Sequence, residues 1–357
     1  MVIKHCSVVG MLALILPLGC GKQTSNVSNS ALAPAAMRTS GGTTHTLYTF
    51  PESDKSVTPL YGLINSAKKT VDMTMYELED TVFSGDLVAL CKNGVGVRVI
   101  LSSSEETSNA PAYAQLNGAG TNCSAVYSNT AFTNTHQKSF IVDGSQVSIM
   151  SLNLQTKYYS TSRDFALVEN DANDIAAIEA TFNADYAAGT PSGGKQGGSD
   201  FSYQPGVGDD LIWSPTTAQA DMVALINGAT KTLLLENEEM SAANIVSALE
   251  TACKTRHVTV QITMASNTSY ATEFTALKAA GCGVHVYPTS ATGLYIHAKA
   301  VVADYGLSTQ NAYMGSINYS TASMTMNREL GLYISDSSVV QSIYSTLASD
   351  YAGGKPY

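Results

Sequence analysis

Two histidine–lysine pairs are the residues in this sequence best suited to chemistry. His136-Gln137-Lys138 is followed by Asp143, and His297-Ala298-Lys299 by Asp304, so the pattern H-x-K-x4-D occurs twice. Each pair runs into an apolar stretch, Ser139-Phe140-Ile141-Val142 or Ala300-Val301-Val302-Ala303, which predicts a strand. Residues two apart on a strand share one face, so each histidine is expected beside its lysine. Two imidazoles and two ammonium groups meeting at one point suit an anionic phosphodiester. The lysines would hold its non-bridging oxygens. One imidazole would attack phosphorus, and the other would protonate the departing oxygen. Without such an anion, a lysine on a half-buried strand is costly.

A return strand is expected after each motif. Asp143-Gly144 is a two-residue hairpin signal, and it leads to Met150-Ser151-Leu152-Asn153. In the second copy a longer loop leads to Gly315-Ser316-Ile317-Asn318. Ser151 with Asn153, and Ser316 with Asn318, are expected to share a strand face and to bind phosphate oxygens. Asp164 and Glu329 lie 28 and 32 residues after His136 and His297; the difference matches the longer loop, so both acids fall at one structural position. A carboxylate on histidine Nδ1 fixes the tautomer and makes Nε2 more basic. Arg163 and Arg328 precede these acids and are expected to be ion-pair scaffolding. Glu77, Glu236, Glu238 and Glu239 read as solvated loop acids, and His257 and His285 as satisfied polar groups. Tyr158 and Tyr159 read as a packed aromatic pair, with lining the mouth of the site as the alternative.

The elements that must position these groups are written twice. Ile64-Asn65-Ser66-Ala67-Lys68-Lys69-Thr70 matches Ile226-Asn227-Gly228-Ala229-Thr230-Lys231-Thr232 at an offset of 162, and Cys91 and Cys253 keep that offset. Such a period is too long for a solenoid and means duplication of a whole lobe. Each copy reads helix, strand, helix, strand, then hairpin. The expected fold class is α/β: two duplicated lobes, each a mixed β-sheet flanked by helices, related by a pseudo-two-fold axis. The expected boundaries are 46–190 for lobe 1, 191–208 for a Gly/Ser-rich linker, and 209–357 for lobe 2. Substrate preference is expected to lie in loops over the site, at residues 103–112 and 265–270. The cysteines follow the repeat, which favours Cys91–Cys123 and Cys253–Cys282 among three possible pairings. A zinc site is the rival, without any C-x-x-C spacing to support it, and buried free thiols are the plain alternative.

The start of the chain reads as an address. A single Lys4 precedes a short apolar run, too short to span a bilayer, which is the export-signal pattern at residues 1–19. Leu16-Pro17-Leu18-Gly19-Cys20 is similar to a bacterial lipobox, so Cys20 is expected to carry lipid, and residues 20–45 are expected to form a solvated tether. Export to the cell envelope with a membrane anchor follows, as does an oxidising compartment for the disulfides. The 357 residues carry 19 Lys+Arg against 29 Asp+Glu, a net charge of −10. That balance argues against a sequence-independent nucleic-acid coat. With 44% hydrophobic and only 13% charged residues, a highly charged disordered chain is excluded.

The doubled H-x-K-x4-D, Gly315-Ser316-Ile317-Asn318 and the run Asn327-Arg328-Glu329-Leu330-Gly331-Leu332 resemble the phospholipase D superfamily from about Leu47 onward. The resemblance implies a bilobed sandwich with one site between the lobes. It also implies a two-step, metal-independent and cofactor-free reaction through a phosphohistidine, with His136 as nucleophile and His297 as acid, then base. Asp143 and Asp304 would be structural, at hairpin turns. Met150 stands where the family usually has Gly; a narrowing of that side of the pocket and a less constrained half are the two expectations. The expected function is hydrolysis of phospholipid headgroup esters, with transfer to an alcohol open, by a monomer that is its own pseudo-dimer. A metal-independent endonuclease is the alternative, and a non-catalytic envelope lipoprotein binding a phosphorylated ligand is the alternative of another class.

Overall fold

The computed structural model describes residues 43–52, 57–191, 193, 205–288 and 293–357. The expected export signal, Cys20, nearly all of the tether and most of the linker lie outside the described residues.

The first copy runs β1 (His45–Phe50), α1 (Thr58–Asn65), β2 (Thr70–Met75), α2 (Thr81–Lys92), β3 (Gly96–Leu101), α3 (Glu106–Asn117), β4 (Cys123–Tyr127), β5 (Ser139–Val142), β6 (Gln146–Met150), β7 (Ser162–Glu169) and α4 (Ala172–Ala187). The second runs β8 (Leu211–Ser214), α5 (Ala218–Gly228), β9 (Thr232–Asn237), α6 (Ala243–Lys254), β10 (Thr259–Ala265), α7 (Ala271–Ala279), β11 (Gly283–Tyr287), β12 (Tyr295–Ile296), β13 (Lys299–Ala303), β14 (Asn311–Gly315), α8 (Thr321–Thr325), β15 (Glu329–Ile334), α9 (Ser337–Gly353) and β16 (Lys355–Pro356). Aspartates cap α2, α4 and α9: Asp80, Asp171 and Asp336 each accept two N–H groups of the first turn.

The first sheet has the order β1-β7-β6-β5-β2-β3-β4, with β2, β3 and β4 parallel and the rest antiparallel. The second repeats it as β8-β15-β14-β13-β9-β10-β11, with β16 at the outer edge. The fold is therefore α/β with two mixed sheets flanked by helices.

Alternation along the antiparallel strands builds the contact between lobes. Ile141, Ile149 and Phe165 of the first sheet share one core with Val302, Met314 and Leu330 of the second, closed by Ile178 of α4 and Ile343 of α9. The opposite face, Phe140, Val142 and Met150, points into the first lobe's own core. Met150 is thus fully buried away from the cleft, which corrects its expected place beside the pocket. Its counterpart shows why: Gly315 faces Gly331 across β14–β15, where a Cβ would meet the Gly331 Cα at 2.4 Å and the Leu330 carbonyl oxygen at 2.6 Å. In the first lobe the facing residue is Ala166, and that space takes a methionine.

Cys91 of α2 is bridged to Cys123 of β4, and Cys253 of α6 to Cys282, each with Cα atoms 5.5 Å apart. Residues 103–112, expected as a loop over the site, form a 3-10 turn and the start of α3. Ser, Asn and Pro111 make this a poor helix by propensity. The buried Asn109 side chain compensates by donating to the carbonyls of Tyr76 and Ser102 and accepting from the Leu78 N–H.

Candidate active site

The motif aspartates build the frame. Asp143 and Asp304 sit at hairpin turns with φ of 53° and 52°, a region that Asp tolerates better than most residues. Asp143 accepts the backbone N–H groups of Lys68, Lys69 and Thr70 at 2.7–3.1 Å. Asp304 accepts those of Thr230, Lys231 and Thr232, and the hydroxyls of Thr230 and Thr309. Each thereby ties the hairpin to the segment entering the lobe's central strand.

The histidines of the H-x-K segments do not lie within their own sheets as the strand pattern suggests. β5 begins at Ser139 and β13 at Lys299, after the histidines. Each segment docks instead on the opposite lobe. The Arg328 carbonyl accepts the N–H groups of His136 (2.9 Å) and Gln137 (3.0 Å), and Arg328 donates to the Asn134 carbonyl. In the mirror arrangement β12 pairs with β7, and His297 donates to the Arg163 carbonyl at 3.3 Å. The arginine side chains cross as well: Arg163 pairs with Asp350 of α9 and with Glu52, and Arg328 with Asp185 of α4 at 2.8 Å. They are scaffolding and do not line the cleft.

This exchange dictates how histidines meet acids. His136 Nδ1 lies 2.8 Å from Glu329 Oε2, and His297 Nδ1 lies 2.7 Å from Asp164 Oδ1. Each acid serves the histidine of the other lobe. Both nearly buried imidazoles have Nδ1 occupied by a carboxylate, which leaves Nε2 for chemistry. Burial would raise both carboxyls. It is outweighed at Glu329 by His136, Lys138 and the Ser323 hydroxyl, and at Asp164 by His297, Lys299 and the Ser151 hydroxyl, so both sit below the ordinary value. Burial dominates at His136 and pushes it down to about 4 against the pull of Glu329. His136 is therefore a neutral imidazole that donates Nδ1–H to an ionised Glu329.

Lys138 and Lys299 are fully buried beneath the histidines. Lys138 Nζ donates to the His136 carbonyl at 2.7 Å and lies 4.8 Å from the centre of the Tyr76 ring. Burial brings Lys138 down to about 7. Lys299 Nζ donates to the His297 carbonyl and, at 3.0 Å, to Glu238.

A cleft of about 510 Å³ opens above these groups and is lined by residues of both lobes, His136, Asp164 and His297 among them. Asn153 and Asn318 line it, as their spacing predicts, but Ser151 and Ser316 do not. β6 and β14 end just before the serines, and both hydroxyls turn inward. Ser151 Oγ donates to Asp164 at 2.7 Å and accepts the Phe165 N–H, while Ser316 Oγ donates to the Leu330 carbonyl. They brace the acid strands and are not placed to bind substrate. Residues 265–270 also lie off the cleft, and the walls come from Gln155, Lys157, Tyr158, Ser320, Ala322 and Asn327. The tyrosine pair is split: Tyr158 is 43% exposed at the rim, and Tyr159 is buried with its hydroxyl on Asp80.

Of the four acids read as solvated loop groups, one is interior and three stand on the cleft wall. Glu236 is buried, and burial holds its carboxyl well above the ordinary value. Glu77, Glu238 and Glu239 line the cleft. The repeat carries a signal for two of them: Glu77 and Glu238 are 161 residues apart, as are His136 and His297. Tyr76, whose ring meets His136 edge-on at 4.7 Å, and Ser323 had no such signal. His285 is a satisfied polar group, its Nδ1 2.6 Å from the Tyr351 carbonyl. Among the described residues no cluster of His, Cys, Asp or Glu is arranged to hold a metal ion, and no helix is long and apolar enough to cross a membrane.

The family model described as "Cardiolipin synthase, PLD-like domain" matches residues 60–186 and 222–351, one match in each lobe. No curated protein matches the sequence significantly. Among solved structures, phosphatidylserine synthase from Haemophilus influenzae Rd KW20 is similar with a TM-score of 0.66 at 14% identity, over 88% of this chain and 87% of that one. Polyphosphate kinase from Porphyromonas gingivalis is similar with a TM-score of 0.62 at 13% identity, over 86% of this chain; the chain spans only 50% of that protein's length. At these identities the likeness is one of fold.

Proposed function

This chain belongs to the PLD-like domain family of the phospholipase D superfamily, and we propose that it is an extracytoplasmic phosphodiesterase acting on phospholipid headgroup esters. The observation that carries this reading is the pair of histidines, each backed by a carboxylate of the opposite lobe, opening onto one cleft with a fully buried lysine hydrogen-bonded to the backbone of each. His136 Nε2 attacks phosphorus, and the N–P bond forms as the P–O bond to the headgroup breaks. His297 gives its Nε2 proton to the departing oxygen. Water then attacks phosphorus and passes a proton to His297 as the N–P bond breaks, restoring both imidazoles. An alcohol in place of water gives transfer. Lys138 and Lys299, with Asn153 and Asn318, hold the non-bridging oxygens. Acids on the cleft wall, with Lys157 as the one lining lysine among the described residues, favour a single diester over a nucleic-acid strand. We further propose that residues 1–19 direct export, that Cys20 carries the lipid anchor, and that 46–190 and 209–357 are the two lobes of a chain acting as a monomer.

The test is to incubate the chain with phosphatidylcholine carrying 32P, under EDTA, and to map the trapped adduct. Choline release with label on His136, lost in His136→Ala, is the expected result. Nicking of plasmid DNA without choline release would overturn the substrate assignment, and label on His297 would exchange the two roles.

A further inference from the structure

In the second half of the cleft, a carboxylate of the protein itself is seated on the groups proposed to bind substrate. Glu238 follows β9, and its Oε2 lies 3.0 Å from Lys299 Nζ, 3.3 Å from Asn318 Nδ2 and 3.6 Å from His297 Nε2. The Tyr295 hydroxyl donates to the other oxygen. Burial alone would raise this carboxyl; Lys299, His297 and the Tyr295 hydroxyl outweigh it and hold Glu238 ionised.

The first half differs. Glu77, at the matching position of the repeat, accepts a hydrogen bond from Asn153 Nδ2 at 3.0 Å. Yet among the described residues no ion pair joins Glu77 to Lys138, whose ammonium group is turned to the His136 carbonyl and the Tyr76 ring. The charges around the cleft do not make a general anion trap. Among the described residues Glu77, Asp164, Glu238 and Glu239 line the cleft with Lys157, and Lys138 and Lys299 lie buried behind the histidines. An incoming anion must therefore share Lys299 with Glu238, and like charges crowded on one ammonium are strongly unfavourable.

We propose that Glu238 is a specificity-determining residue: its carboxylate competes with phosphoryl oxygens for Lys299 and Asn318, so the cleft admits an isolated monoanionic phosphodiester and turns away dianionic monoesters and polyanionic strands. This rests on the phosphodiesterase reading above and names the charge class that the site selects.

Binding measures the selection without turnover. The full chain is titrated calorimetrically at pH 7 with tungstate, a tetrahedral dianion, and with diethyl phosphate, a monoanion. Glu238→Gln keeps the shape of the side chain, and its single amide oxygen can still accept from Asn318 while its N–H donates to the Tyr295 hydroxyl. It is expected to tighten tungstate by about 10- to 100-fold and diethyl phosphate by clearly less. Glu238→Asp, which withdraws the carboxylate from Lys299, is expected to give an intermediate shift and guards against a folding defect in the first variant. Glu77→Gln is expected to shift the ratio less than Glu238→Gln. An unchanged tungstate-to-diester ratio in both Glu238 variants, or an equal shift in Glu77→Gln, overturns the proposal. A wild-type chain inert toward diesters, with the ratio still shifted in Glu238→Gln, sinks the enzymatic reading and leaves the selection standing.

Discussion

Exchange of acids between lobes makes a kinetic prediction that pairing within each lobe would invert. Glu329 is fully buried, 2.8 Å from His136 Nδ1, and its other oxygen is held by the Ser323 hydroxyl and by Asn327 Nδ2 at 3.1 Å. Glu329→Gln keeps the volume but can present an amide N–H to Nδ1, which would put the proton on Nε2, the nitrogen that must attack. Loss of the carboxylate from a His–acid pair costs on the order of 10⁴ in rate, so the step carried by His136 should fall by about 10²–10⁴. Asp164→Asn does the same to His297, whose first task is to protonate the leaving group. With bis(p-nitrophenyl) phosphate the leaving p-nitrophenolate needs no proton. A rapid-mixing experiment should therefore show the p-nitrophenol burst surviving in Asp164→Asn, with slow later turnover, and vanishing in Glu329→Gln. In the His136→Ala background, Glu329→Gln should add little further loss, because the two residues act as a unit. A burst abolished by Asp164→Asn and spared by Glu329→Gln, with label on His136 in the wild type, would refute the exchanged pairing.

Three further outcomes follow from the same geometry. His136 must be neutral to attack and burial brings it down to about 4, while Lys138 must be protonated to hold the anion and is brought down to about 7. A pH profile of kcat/KM should accordingly rise through about 4 and fall above about 7, and a profile flat to pH 9 would contradict the role of Lys138. Each disulfide closes a loop, with sequence separations of 32 and 29, so reduction should remove about 3–4 kcal/mol per bridge, read as a lower urea midpoint. Met150→Ala should cost about 2–5 kcal/mol as a core cavity without altering KM, whereas Gly315→Ala should destabilise through the clash with Gly331, both read in denaturant melts alongside steady-state assays.

Much of the fold was legible because duplication doubles every signal. A single H-x-K is weak, but His136 and His297 keep company with repeated cysteines, hairpins and acids. The same repeat brings Asn153 and Asn318 to the cleft and places Asp143 and Asp304 at turns. Local spacing failed where tertiary contacts override it. The start of α3 is held by the hydrogen bonds of Asn109 and not by helix propensity. Ser151 and Ser316 follow the last residue of their strands, where face parity stops being a guide. Glu238 sits just past β9, where an acid ordinarily meets water, and only the fold brings Lys299 beneath it.

The exchange between lobes lies beyond any one-dimensional pattern. A constant offset says that two halves share a structure; it does not say which half completes which. Asp164 follows His136 by the same structural distance as Glu329 follows His297, and within-lobe pairing satisfies that arithmetic equally well. What decides is the shared core, where Ile149 and Phe165 pack with Met314 and Leu330. With the antiparallel halves of the two sheets pressed together, the backbone just ahead of each acid becomes the nearest acceptor for the opposite H-x-K segment, through the carbonyls of Arg163 and Arg328. Neither lobe alone supplies the acid that meets Nδ1 of its own motif histidine. A separated lobe would leave its carboxylate without the imidazole that lowers its pKa, so assembly of the site and docking of the lobes are one event.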